Sequence, residues 1–146
     1  MAEIKFYLLS STGSDARYRY ACKLIEKAYR NGYFAYVLTD SDSQSQWLEQ
    51  LLWTFRPTSF VPHEIYRGTL PEFANTILIS QLPIPLQWQR LVVNLSSNPV
   101  GDLGQTEKVV EIFDNDEQVK QIGREHYRHY KKLGLTPITH SIQQFD

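Results

Sequence analysis

Residues 4–9 are almost wholly apolar and run into Ser10-Ser11-Thr12-Gly13, which predicts a strand followed by a loop. From Ser14 the spacing becomes helical. Tyr18, Ala21, Cys22, Ile25, Ala28 and Tyr29 fall at i, i+3, i+4, i+7, i+10 and i+11, one face of a helix. Ser14 or Asp15 is expected to cap its start, and Asn31-Gly32 to supply the left-handed stop. Residues 33–39 are near-continuously apolar, as strands buried on both faces of a parallel sheet are. Asp40-Ser41-Asp42-Ser43 then offers N-caps for a second helix, with Trp47, Leu48, Leu51 and Leu52 on its apolar face.

The second half is less regular. TILIS at 76–80, RLVVNL at 90–95 and KVVEIF at 108–113 read as strands, and 81–88, with Pro83 and Pro85, as a loop. A last helix is expected over 115–133, capped by Asp114 and stopped at Gly134. Its inward stripe is Val119, Ile122, Tyr130 and Leu133. The alternation of strand and helix predicts a three-layer α/β/α fold with a mainly parallel sheet, Rossmann-like in outline. Residues 1–146 read as one domain, with 135–146 as a less ordered tail.

Composition narrows the function. The net charge of -1 leaves no global basic excess for wrapping nucleic acid, so any basic site is local. The single cysteine, Cys22, excludes an intrachain disulfide, suits a reducing cytoplasm and falls on an apolar helix face. No apolar run is long enough to span a bilayer, and the N-terminus does not read as a signal peptide.

Little of the sequence has catalytic spacing. The turn 10–14 has one glycine, whereas a dinucleotide loop needs three, and no P-loop lysine follows it, so no cofactor is expected. His126 and His129 share a helix without a third metal ligand in any recognisable pattern, and are expected at the surface. His63 is expected to make a structural hydrogen bond, and Glu111 to sit at a strand end or face outward.

Two stretches stand out. Lys120, Arg124, Tyr127, Arg128 and Lys131 recur at i, i+4, i+7, i+8 and i+11, a cationic stripe with a phenol on it. A solvated face is the ordinary fate of such a stripe; an acidic peptide or phosphates would also fit it. The other stretch, LLWTFRPTSFVPH at 51–63, carries Trp53, Phe55 and Phe60 on a connection that Pro57 and Pro62 make non-helical. Its aromatics either fold back on the core or form an exposed apolar patch for a partner.

Leu52-Trp53, an Arg-Pro spacer, and Ser59-Phe60-Val61-Pro62-His63 resemble the signature of the chi subunit of bacterial DNA polymerase III. Phe6-Tyr7-Leu8-Leu9, Val109-Val110-Glu111, and Arg124-Glu125 with Tyr127 and Tyr130 agree in order and spacing. The resemblance covers nearly the whole chain, and residues 64–107 depart most. It implies a non-catalytic accessory subunit that joins the clamp loader through the psi subunit. It also implies binding of the acidic, phenylalanine-ended tail of single-stranded DNA-binding protein. Trp53 and Phe60, with Pro62, would face psi, or a helicase-like partner using the same surface. Lys120, Arg124, Tyr127 and Arg128 would receive the tail, with Phe113 and Ile112 walling a slot for its ring. Two alternatives remain at this point: a nucleotide-binding α/β enzyme, and a direct single-stranded DNA-binding module.

Overall fold

A computed structural model describes residues 2–55, 60–101 and 103–143. Its elements are β1 (Glu3–Leu9), α1 (Ser14–Arg30), β2 (Tyr36–Leu38), α2 (Asp42–Thr54), β3 (His63–Ile65), β4 (Ile77–Ser80), β5 (Leu91–Asn94), β6 (Lys108–Phe113), α3 (Glu117–Lys132) and β7 (Ile138–Ile142). The strands form one seven-stranded sheet, β3-β4-β2-β5-β6-β1-β7, with every pairing parallel. The α/β prediction holds. Residues 138–142, which the sequence left without an element, form the edge strand β7 beside β1.

Strand alternation sends successive residues to opposite faces of the sheet. Val110 and Ile112 of β6 join the cluster under α1 and α2, with Cys22, Ile25, Leu48 and Leu52. Val109 and Phe113 join the cluster under α3, with Ile4, Phe6 and Tyr130. Farther along that second face, Trp88 on a 3₁₀ turn covers Tyr36 and Leu78. Both faces are therefore covered, which is why the central strands are apolar almost throughout.

The helix ends correct the expected caps. Gly13, with φ 120°, precedes α1 without a side-chain cap bond, so neither Ser14 nor Asp15 is the N-cap. Ser41 caps α2, accepting from the Gln44 N–H. Asp116, not Asp114, caps α3, accepting from Gln118 and Val119, while Asp114 accepts from the Asp116 N–H. The stop at Gly134 is as expected: its N–H bonds the Lys131 carbonyl and the Leu135 N–H bonds that of Tyr130, the Schellman pair.

Burial brings further corrections. The inward stripe of α2 is Ser45, Leu48 and Leu52, which turns Trp47 out to 56% exposure. On α3, Val119, Ile122 and Tyr130 pack inward as expected, Gly123 and His126 are buried with them, and Leu133 is exposed. His126, expected at the surface, is thus core. Glu111, expected outward, is completely buried, because its face of the sheet lies under α3. Cys22 is buried as predicted, and burial pushes its thiol up to about 12.

Candidate interaction sites

The chain leaves the adjacent strands β1 and β6 toward opposite faces, to α1 and to α3. Such a divergence opens a crevice at the carboxyl ends of the strands, the usual ligand position in open α/β sheets. Here Arg17 of α1 reaches across to β6. Its Nε donates to the Ile112 carbonyl at 2.6 Å, and its guanidinium lies 5.8 Å from the centre of the Phe113 ring. The Asn115 N–H joins the two loops by donating to the Ser11 carbonyl.

On the α3 face lies an open cavity of about 490 Å³. Phe6, Leu8 and Phe113 give it an apolar side, and Lys120, Arg124, Tyr127 and Arg128 line it from α3. The rings pack among themselves. Phe6 lies 5.4 Å from Phe113, and Tyr127 meets Phe6 edge-on at 5.7 Å. Gly123 sets how closely α3 approaches: a Cβ there would stand 3.2 Å from the Phe113 ring. Lys120 pairs with the exposed Glu117 at 3.0 Å and Arg124 donates to Gln121, both weak surface contacts.

The cationic stripe and its predicted aromatic neighbour Phe113 thus come together. Ile112 does not. As the residue next to Phe113 on a strand, it points to the opposite face and packs under α1 and α2. Its expected place is taken by Phe6 and Leu8 of β1 and Thr139 of β7. Sequence spacing missed these because they meet α3 only through the parallel pairings of β1.

A buried polar network holds α3 in this position. Glu111 accepts from Tyr130 Oη at 2.6 Å and Asn94 Nδ2 at 3.0 Å, and meets His126 Nδ1 at 2.9 Å. The other ring nitrogen of His126 lies 3.0 Å from the Ser97 carbonyl, and Tyr130 Oη accepts from the Val100 N–H. Burial opposes a charge on His126. The hydrogen bond and charge of Glu111, with the Ser97 carbonyl, outweigh it and raise its pKa.

The aromatic stretch builds a second surface. Trp53 lies in the last turn of α2, so the non-helical connection starts after Thr54 and not at Leu51, still ahead of Pro57. Arg56, Pro57, Thr58 and Ser59 lie outside the described residues. Trp53 and Phe60 are 51% and 67% exposed, with ring centres 5.9 Å apart. Val61 is core, and Phe55 is partly buried against the same cluster. His63 explains the motif's last position: its ring nitrogens lie 2.6 Å from the Val61 carbonyl and 3.2 Å from that of Glu49. It is the structural hydrogen bond expected, and it staples the stretch to α2. Pro62 is half-buried, and its carbonyl accepts from the Ile77 N–H. His63→Ala is expected to lower stability by about 1–3 kcal/mol, since it removes the ring whose N–H bonds a partly buried carbonyl; urea unfolding measures this.

Among the described residues no helix is long and apolar enough to cross a membrane. The family described as "DNA polymerase III chi subunit, HolC" matches residues 1–137. The DNA polymerase III subunit chi of Pseudomonas aeruginosa is 27% identical over 142 residues, which cover 97% of this chain and 98% of that one. Its namesakes in Haemophilus influenzae and Escherichia coli are 24% and 23% identical; the matches cover 94% and 92% of this chain, and 96% and 95% of theirs. This chain therefore belongs to the DNA polymerase III chi subunit family, a replication accessory subunit.

Proposed function

We propose that the chain is a non-catalytic adaptor in the cytoplasmic replisome. It links the clamp-loader complex, through psi, to the acidic C-terminal tail of single-stranded DNA-binding protein. The observation that carries this reading is the cavity in which Lys120, Arg124, Tyr127 and Arg128 face Phe6, Leu8 and Phe113. An acidic peptide ending in phenylalanine needs cations for its carboxylates and an apolar slot for its ring, and this cavity offers both. The exposed Trp53–Phe60 pair is the surface proposed for psi.

Exposed ion pairs contribute only about 0.2–1 kcal/mol each. The ring must supply much of the rest, up to about 2–3 kcal/mol when fully buried. Tail binding should therefore be modest and should weaken with salt. Removing the terminal phenylalanine should reduce it at least as much as Arg124→Ala does. Titrating both peptides against wild type and Arg124→Ala tests this. Equal binding of the two peptides would leave only unspecific charge attraction and remove this assignment.

A further inference from the structure

A second cavity, of about 380 Å³, opens at the opposite end of the sheet, where β1, β5 and β6 begin. Lys5, Lys27 and Lys108 all line it. Strand alternation puts Lys5 and Lys108 on the α1 side of the sheet. The register pairs Glu3 with Lys108 and Lys5 with Val110, so the two lysines are diagonal neighbours on one face. Like charges this close repel, and the more so where partly buried. The pKa of Lys108 is lowered, first by burial and then by Lys5.

The carboxylates nearby offset this cluster only in part: Glu3, opposite Lys108, favours its charged form, yet the pKa of Lys108 stays lowered. Glu3 reaches Lys5 only at 3.6 Å and is itself exposed, and Glu107 is engaged by Arg90 at 2.6 Å. The rest of the lining is apolar or aromatic, including Leu24, Val93, Tyr7 and Tyr33. None of these residues takes part in the two surfaces described above.

We propose that this cavity binds a small phosphomonoester, its phosphate held by Lys5, Lys27 and Lys108 and its organic body lying against Leu24 and Tyr33. A phosphate dianion matches adjacent ammonium groups better than a singly charged carboxylate does. The exposed Glu3 at the rim would repel an extended polyanion such as a nucleic-acid backbone more than it would a compact dianion held inside the cavity.

Amide NMR of the full chain, titrated with phenyl phosphate, tests this. Saturable shifts are expected at Lys5, Lys27, Asn31, Tyr33 and Lys108. Phenol should cause none there, and inorganic phosphate should bind more weakly. Lys108→Met should weaken phenyl phosphate binding about tenfold or more. The same variant should keep or raise the melting temperature, because repulsion with Lys5 is gone, and should bind the tail peptide as wild type does. The proposal is overturned by an absence of saturation at millimolar phenyl phosphate, by shifts centred on residues 120–128, or by unaltered binding in Lys108→Met. Displacement of phenyl phosphate by an equal concentration of a short single-stranded oligonucleotide would also overturn it, in favour of a nucleic-acid contact.

Discussion

Glu111→Ala is expected to destabilise the protein by about 3–5 kcal/mol, enough to bring a domain of ordinary stability near unfolding. The carboxyl group is completely buried and has three side-chain partners: Asn94, His126 and Tyr130. Removing it leaves the polar atoms of all three partners without their shared acceptor inside the core. The loss is larger than that of a lone hydrogen bond, about 1 kcal/mol, because each stranded group keeps its desolvation penalty. Urea unfolding of wild type and variant measures the difference. A change below about 1 kcal/mol would mean that the network does not hold α3 to the sheet. Glu111→Leu combined with His126→Leu should recover part of the loss, because it removes both members of the buried pair.

The same network makes stability depend on pH. His126 has a raised pKa in the folded protein. Its contribution is therefore fully present below its unfolded value, about 6.5. It is lost as pH rises through the higher folded value. The unfolding free energy should fall across that window in wild type, and His126→Gln should flatten the fall. A rise in stability over the same window, abolished by the substitution, would contradict the assignment.

Much of this fold was legible in local pattern. The apolar runs of β1 and β6, the 3.6-residue spacing of α1 and the glycine stops at Gly32 and Gly134 are all signals within a few residues of one another. The cationic face of α3 was legible for the same reason. What the sequence concealed depends on partners far along the chain. Glu111 looked solvent-facing until α3 was known to cover its side of the sheet, and His126 looked superficial until Glu111 was known to lie beneath it. One general signal was available: an acid inside a strand covered on both faces must find a partner. His126 and Tyr130, four apart on α3, are the partners it finds. The edge strand β7 is short and mostly exposed, so its pattern is polar and carried no strand signal. The two-residue period of a strand puts Ile112 on the face opposite Phe113, so the two cannot wall one slot.

Trp53→Ala and Phe60→Ala are each expected to weaken psi binding by about 2 kcal/mol or more, roughly thirtyfold in Kd. The two rings form an exposed apolar pair where α2 gives way to β3, and large aromatics that bury on association dominate interface energies. The arrangement is held before any partner arrives. Trp53 Nε1 donates to Glu49 at 2.8 Å, and its ring lies 4.7 Å from the His63 ring. A preset ring loses little conformational entropy on docking. Both side chains are more than half exposed, so truncation should leave the fold intact, with an unfolding midpoint close to that of wild type. Calorimetry with purified psi gives the affinities, and circular dichroism checks the fold. The two surfaces should also separate: Trp53→Ala should leave tail-peptide binding unchanged, and Arg124→Ala should leave psi binding unchanged. Wild-type affinity in both aromatic variants would remove the Trp53–Phe60 pair as the proposed psi surface. Unfolding of both would instead make these rings part of the core.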